Sequence, residues 1–178
     1  MTLDNLSPVA PDQASDVLVD RDRLLEIAEL GLDRDIERPE LDALAREAAQ
    51  RLDLPIGVVS IVLDEAQWFV ATHGVDGWVG DAQGTPVEWS FCRYAVASKE
   101  AFVVESATEH ELVQDNPLVQ FEGIRCYAGI PMISSQGNAL GSFCVIGPEE
   151  RHFSEEDLAE LRRRAERAVA RIEARRDG

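Results

Sequence analysis

The stretch EWSFCRYAV, residues 88 to 96, sets a cysteine between a Trp-Ser-Phe run and an Arg-Tyr step, and Cys92 shares the chain with two others, Cys126 and Cys144. A thiol acts as nucleophile or redox centre when its pKa is depressed, usually by a helix N-terminus or a nearby cation. Cys92 lies near the start of a short predicted helix with Arg93 beside it, a setting that permits reactivity. Free cysteine is also among the most buried residue types, and two aromatics adjoin this one, so packing under the wall of a pocket is the preferred role. Cys126 opens a predicted strand and could face Cys92 across the intervening crossover, although a bridge needs a Cα separation under about 7 Å. Cys144, inside SFCVI, shares a side with Leu140 and Ile146 and is assigned to the core.

Other chemistries find little to use. No glycine pattern precedes Lys99 as a phosphate-cradling loop requires. His73, His110 and His152 are far apart, with no His-x-x-x-His or Cys-x-x-Cys pair, so no metal site is expected. A Gly-x-Ser-x-Gly elbow is absent as well.

The elements that must position these residues follow from periodicity. Residues 1 to 19 hold Pro8 and Pro11 without a sustained pattern and are expected to form a leader, ahead of one domain over 20 to 176. A helix is predicted from Asp22 to Leu30, stopped by Gly31, and a clearer one follows Pro39, with Leu41, Leu44, Ala45, Ala48 and Leu52 on one stripe. IGVVSIVL (56–63) is apolar, β-branched and of strand length, which predicts a central strand covered on both faces, and WFVATH (68–73) is its antiparallel return. The segment 74–86, with four glycines and a proline, reads as a long loop, and 87–98 as a short helix. FVVES (102–106), CYAGIPMI (126–133) and LGSFCVIG (140–147) complete the predicted strands, with a polar crossover over 107–125 and a turn around Gly137 and Asn138. Pro131 should sit at a bulge or where its missing N–H faces no partner.

A last helix, 154–175, begins with a capping box between Ser154 and Asp157 and a staple between Phe153 and Leu158. Leu158, Leu161, Ala165, Ala168 and Ile172 form a heptad seam. About 22 residues at 1.5 Å each give roughly 33 Å, more than a small sheet covers, so a second copy of the helix is expected to take the excess, as a homodimer.

Composition limits the partners. The net charge is −17, from 34 acids against 17 bases, and Lys99 is the only lysine. Such a surface repels phosphate backbones and anionic lipids, which argues against nucleic acid and membrane. No apolar run reaches the ~18 residues of a membrane span, and three cysteines, an odd number, fit a reducing compartment, so a cytoplasmic location is expected.

Taken together and in order, IGVVSIVLD, QWFVA, SFCRYAV, FVVESATE, DNPLV, IRCYAGIPM, GNALGSFCVIG and FSEEDLAEL resemble the GAF domains of bacterial signalling proteins, from about Leu24 to Arg167. The resemblance implies an α+β fold: a central antiparallel sheet of five or six strands, with N-terminal and long C-terminal helices on one face, and a lid of loop and short helix over a ligand pocket on the other. It implies a pocket lined by Trp68, Val70, Trp89, Phe91, Cys92, Asn116, Leu118, Tyr127 and Met132. It implies a non-enzymatic sensory module that binds a small molecule of unknown identity, with no cofactor assigned, and signals through helix-mediated dimerisation or to an output protein in trans. The Asn-Lys-Phe-Asp-Glu signature of cyclic-nucleotide-binding GAF domains is missing. The alternative is a thiol-dependent free methionine-R-sulfoxide reductase, since GAF-fold reductases use a cysteine in a site resembling SFC; Cys92 and Cys126 would then be resolving and attacking thiols, with Trp68 or Trp89 against the substrate methyl. The same two cysteines could instead form a redox switch.

Overall fold

A computed structural model describes residues 16–32 and 38–174. Helices α1 (Arg21–Glu29) and α2 (Pro39–Arg51) precede strands β1 (Ile56–Val62) and β2 (Ala66–His73), followed by α3 (Gly77–Ala82), β3 (Gly84–Pro86) and a 3-10 turn at Val87–Trp89. Then come α4 (Cys92–Ser98), β4 (Phe102–Val104), a crossover carrying α5 (Pro117–Gln120), strands β5 (Cys126–Ile133) and β6 (Ala139–Gly147), and the terminal helix α6 (Glu155–Ala174).

The strands form an open six-stranded antiparallel sheet in the order β3-β2-β1-β6-β5-β4. β1 is central and buried along nearly its whole length, as its unbroken apolar run requires. The sixth strand is β3, which comes from the glycine-rich segment read as a plain loop; that segment also folds into α3, so both belong to the sheet edge and its cover. The predicted helix over 87–98 is broken at Ser90, leaving the 3-10 turn and α4 as separate pieces. Pro131 lies past the end of β4, whose pairing with β5 stops at Gly129.

Helices α2 and α6 lie on one face. Gly57 permits the close approach of α2 to β1, because a Cβ there would come 2.2 Å from the Ala45 carbonyl oxygen. Leu41, Leu44 and Ala48 of α2 and Leu158, Leu161, Ala165, Ala168 and Ile172 of α6 pack on Val59, Ile61, Ala128, Phe143 and Val145. α6 starts as predicted: the Ser154 amide donates to Asp157 (3.0 Å) and the Asp157 amide donates to the Ser154 hydroxyl (3.1 Å). Burial pushes the Asp157 carboxyl up, but the Ser154 amide and hydroxyl and the Arg151 guanidinium outweigh it and hold the group below its ordinary value.

The heptad seam does not overhang. Ile172, its last member, is only 3% exposed, and the whole seam is covered by the chain's own sheet and α2. The arithmetic explains why: a helix of 20 residues spans about 30 Å, and an eight-residue strand such as β5 spans roughly 27 Å, so helix and strand match. The five seam residues are therefore buried within the chain itself and do not project beyond the sheet.

The leader expected over 1–19 lies mostly outside the described residues, as does the end of the expected 20–176 domain. Within reach, Leu18 is buried among lid-side residues, so the folded unit starts before residue 20. Arg23, itself buried, donates to the carbonyls of Val62 (2.6 Å), Leu18 (2.9 Å) and Ala139 (3.3 Å) and so ties α1 to the ends of β1 and β6.

Candidate functional site

The other face of the sheet carries a chamber of about 130 Å³. Its floor is Ile56 and Val58 of β1, Gln67 and Phe69 of β2, Tyr127 of β5, and Cys144 and Ile146 of β6. Its walls and roof are Val75 and Val79 at α3, Phe91 and Cys92 at the start of α4, and Leu118 and Ile124 of the crossover. Two exposed carboxylates, Asp76 and Glu122, stand at its mouth.

The lid is held by a few specific bonds. Trp78 of α3 donates its indole N–H to Glu122 (2.7 Å) and meets Trp89 edge-on at 5.4 Å. Asn116 caps α5 by accepting from the Leu118 amide (2.9 Å) and donates to the Trp89 carbonyl (3.2 Å). Ser90 sits where the predicted helix breaks: its hydroxyl accepts from the Arg93 amide (3.1 Å) and donates to Gln67 (2.8 Å), which in turn donates to Thr85 (2.8 Å). These polar pairs fix α4 against the β2–β3 edge.

At the deepest point lies a sulfur and hydroxyl cluster. The Sγ atoms of Cys92 and Cys144 are 4.0 Å apart, Tyr127 donates its hydroxyl to Cys92 (3.1 Å), and Tyr127 and Ser142 hydroxyls are 3.2 Å apart. Burial pushes the Cys92 thiol up, but hydrogen bonds from Cys144, Ser60, Tyr127 and Ser142 outweigh it and bring the group down to about 7. Cys144 moves the other way, well above its ordinary value, because its bond to Cys92 holds its proton and because it is buried. Burial, and then negative charge at Cys92, raises Tyr127 as well.

Of the residues implied by resemblance, Phe91, Cys92, Leu118 and Tyr127 line this chamber. Trp68, Val70 and Met132 lie on the opposite, helix-bearing face. The cause for β2 is a bulge: Val59 pairs with Ala71 and Ser60 with Phe69, which leaves Val70 unpaired and turns Gln67 and Phe69 toward the lid. Trp89 and Asn116 hold the lid from outside the chamber. Cys126 also belongs to the helix face, so the sheet itself separates it from Cys92 and the expected pair of thiols does not meet. The partner that Cys92 has is Cys144. A second bulge, at Leu140 between the Ile133–Ala139 and Met132–Gly141 pairs, puts Leu140 on the helix face and leaves Cys144 on the lid face with Ser142 and Ile146. Neither bulge has a mark in the sequence; polar Gln67, set among the apolar residues of the first half of β2, is the one cue to the face of that half.

Among the described residues, no three His, Cys, Asp or Glu side chains gather as metal ligands. No described helix is long and apolar enough to cross a membrane.

The sequence matches the GAF domain family over residues 38–172, a span that includes every strand of the sheet and α2 and most of α6. The chain belongs to the GAF domain family. A cyclic di-GMP phosphodiesterase of Pseudomonas aeruginosa is 37% identical over 148 residues, 82% of this chain, while the chain spans 24% of that protein's length. The GAF domain of a phosphoenolpyruvate-protein phosphotransferase from Coxiella burnetii superposes with a TM-score of 0.65 at 19% identity, covering 95% of this chain and 98% of that one. A type II free methionine-R-sulfoxide reductase from Thermoplasma acidophilum superposes with a TM-score of 0.61 at 15% identity, covering 76% and 91%. Both structures share the fold of this GAF domain, a member of a sensory and regulatory family.

Proposed function

We propose that this GAF domain is a non-enzymatic sensory module that takes a small, largely apolar molecule into the chamber beneath the lid and passes its presence to the terminal helices. The observation that carries the reading is the chamber itself, an apolar space closed by a roof that a handful of side-chain bonds hold in place. Its volume decides the ligand size. An apolar cavity of about 150 Å³ holds benzene, so a chamber of about 130 Å³ is on the scale of a single small ring or a short branched chain, whereas a cyclic nucleotide or a bilin requires the lid to move away.

A route from chamber to helices runs along the β5–β6 hairpin. Its strands carry Tyr127 and Cys144 on the chamber floor, and at its tip Ser134 (2.5 Å) and Asn138 (3.0 Å) donate to Glu26 of α1, while the Ser135 amide donates to Glu173 of α6 (2.6 Å). Ligand binding need favour one helix arrangement by only about 1–3 kcal/mol to signal. Homodimerisation, or docking of an output protein in trans, then uses the outer surface of the terminal helices, where Leu25 of α1 is 49% exposed, in place of the covered α6 seam.

The test is a thermal-shift screen with single-ring aromatics and short-chain metabolites, run on the native chain and on Val58→Phe, which fills the chamber from β1. A ligand at about 100 times its Kd stabilises the native protein by roughly 2.7 kcal/mol, and the filled variant loses that response while still melting cooperatively. Absence of any stabilising compound, or equal stabilisation of both proteins, defeats the reading.

A further inference from the structure

We infer that Cys92 and Cys144 form a peroxide-reactive dithiol site at the base of the chamber, with Cys92 as the attacking thiol and Cys144 as the resolving one. The site does not depend on the chamber's organic ligand. Three observations on the lid face carry it. The two sulfurs are 4.0 Å apart, and both line the chamber, so a small oxidant that enters meets both without unfolding. The chamber's 130 Å³ compares with about 30 Å³ for one water in the liquid, ample for hydrogen peroxide. The donors are asymmetric: Tyr127 gives its hydroxyl to Cys92, and Ser142 backs Tyr127, so negative charge is stabilised on the Cys92 sulfur. The same asymmetry separates the two thiols, with Cys92 brought down and Cys144 pushed up.

The chemistry balances with a hydroperoxide as oxidant. The Cys92 thiolate attacks one peroxide oxygen, the O–O bond breaks, and a sulfenic acid forms as hydroxide leaves and takes up the proton lost by Cys92, giving water. The Cys144 sulfur then attacks the Cys92 sulfur; the S–S bond forms, the S–O bond breaks, and the departing hydroxide takes the Cys144 proton as a second water. Two thiols are oxidised and one peroxide is reduced. The sulfurs close from 4.0 Å to about 2.05 Å, drawing the first residue of α4 toward β6 and reshaping the chamber floor. A dithiol reductant reverses the bond by exchange.

The test treats the full chain with hydrogen peroxide, alkylates it in denaturant and reads intact mass and linked peptides. The expected result is loss of two alkylations, one intramolecular Cys92–Cys144 cross-link, a free Cys126, and recovery of all three thiols with dithiothreitol. The rate should rise with pH through about 7, whereas an ordinary thiol rises near 8.5. Cys144→Ser should leave a sulfenic acid on Cys92 that a dimedone probe traps, and Cys92→Ser should lower peroxide consumption at least tenfold. Three unchanged thiols, a cross-link through Cys126, or a rate rising only near pH 8.5 overturns the site. These three readouts use the unaltered chain and stand even if a variant misfolds.

Discussion

The two faces of the sheet are made from alternate residues of the same strands, yet they are built to different standards. On the helix face, α2 and α6 lay continuous apolar stripes on β1, β5 and β6, and Leu161, Phe143 and Met132 are fully enclosed. On the lid face the cover is a chain of short pieces, α3, α4 and α5, joined by polar or glycine-containing segments, and a chamber remains between cover and sheet. A long amphipathic helix offers one side chain per turn at constant spacing and can fill a pleated surface to native density. Six-residue and four-residue helices cannot, and the lid depends on individual hydrogen bonds such as Trp78 to Glu122. The densely packed face therefore supports one held by shorter elements and individual bonds, and under the proposed reading this is where a ligand enters, since elements that admit ligands are usually of low local stability.

The sharpest way to break that contrast is truncation on each face. Leu161→Ala on the helix face should cost about 3 kcal/mol, since a tightly packed site collapses poorly around the lost atoms. Val79→Ala on the lid face removes atoms that already border empty space and should cost under about 1 kcal/mol. Urea titration of both variants checks this. Equal costs would mean that the lid is packed as firmly as the helices, and the division of labour would be wrong.

A second variant probes the join between the faces. Arg23 touches both: its guanidinium holds the Leu18 carbonyl, whose side chain is in the lid-side core, while its neighbour Ile27 lies in the helix-side core. Burial brings its pKa from its usual height down to about 10, so it still carries its charge at neutral pH. Arg23→Met keeps the length but leaves the Val62, Leu18 and Ala139 carbonyls without this donor, and should destabilise the fold by about 2 kcal/mol, with a loss of protection at the ends of β1 and β6. A neutral outcome in the same urea titration would show that α1 is dispensable to the join.

The helix face is legible in the sequence and the lid face largely is not. The stripes at Leu41 to Leu52 and Leu158 to Ile172, and the Ser154–Asp157 box, are local patterns whose period states which side is buried, and the structure has them in the expected places. The site depends on non-local facts. Which side of β2 faces the chamber is set by a one-residue bulge opposite Val59 and Ser60, and a one-residue change of register exchanges the two faces of a strand. The same holds for Leu140 and Cys144, and the meeting of Cys92 with Cys144 depends on where a helix that begins 52 residues earlier lands. The glycine-rich segment carries turn chemistry but no periodicity, so α3 and β3 have no pattern to betray them. The reach of α6 is hidden for a different reason: whether a helix overhangs depends on the strands beneath it, and β5 is nearly as long as the helix that crosses it.

The smallest expected effect bears most directly on the lid. Trp78→Phe keeps a ring against Trp89 but removes the indole donor to Glu122, and both ends of that bond are exposed. Surface changes of this kind alter global stability by no more than about 0.5 kcal/mol, so the urea midpoint should hardly move. Local opening is another matter. If the bond contributes about 1 kcal/mol to the closed lid, its loss raises the open population roughly fivefold, and hydrogen exchange at amides of 77–82 and 117–122 should speed by that factor while β1 and β6 remain as protected as before. Faster exchange through the whole sheet would make the lid part of the same cooperative unit as the helix face. Unchanged exchange at 77–82 would mean that the indole bond does not hold the lid, leaving apolar contact with the floor as the force that closes it.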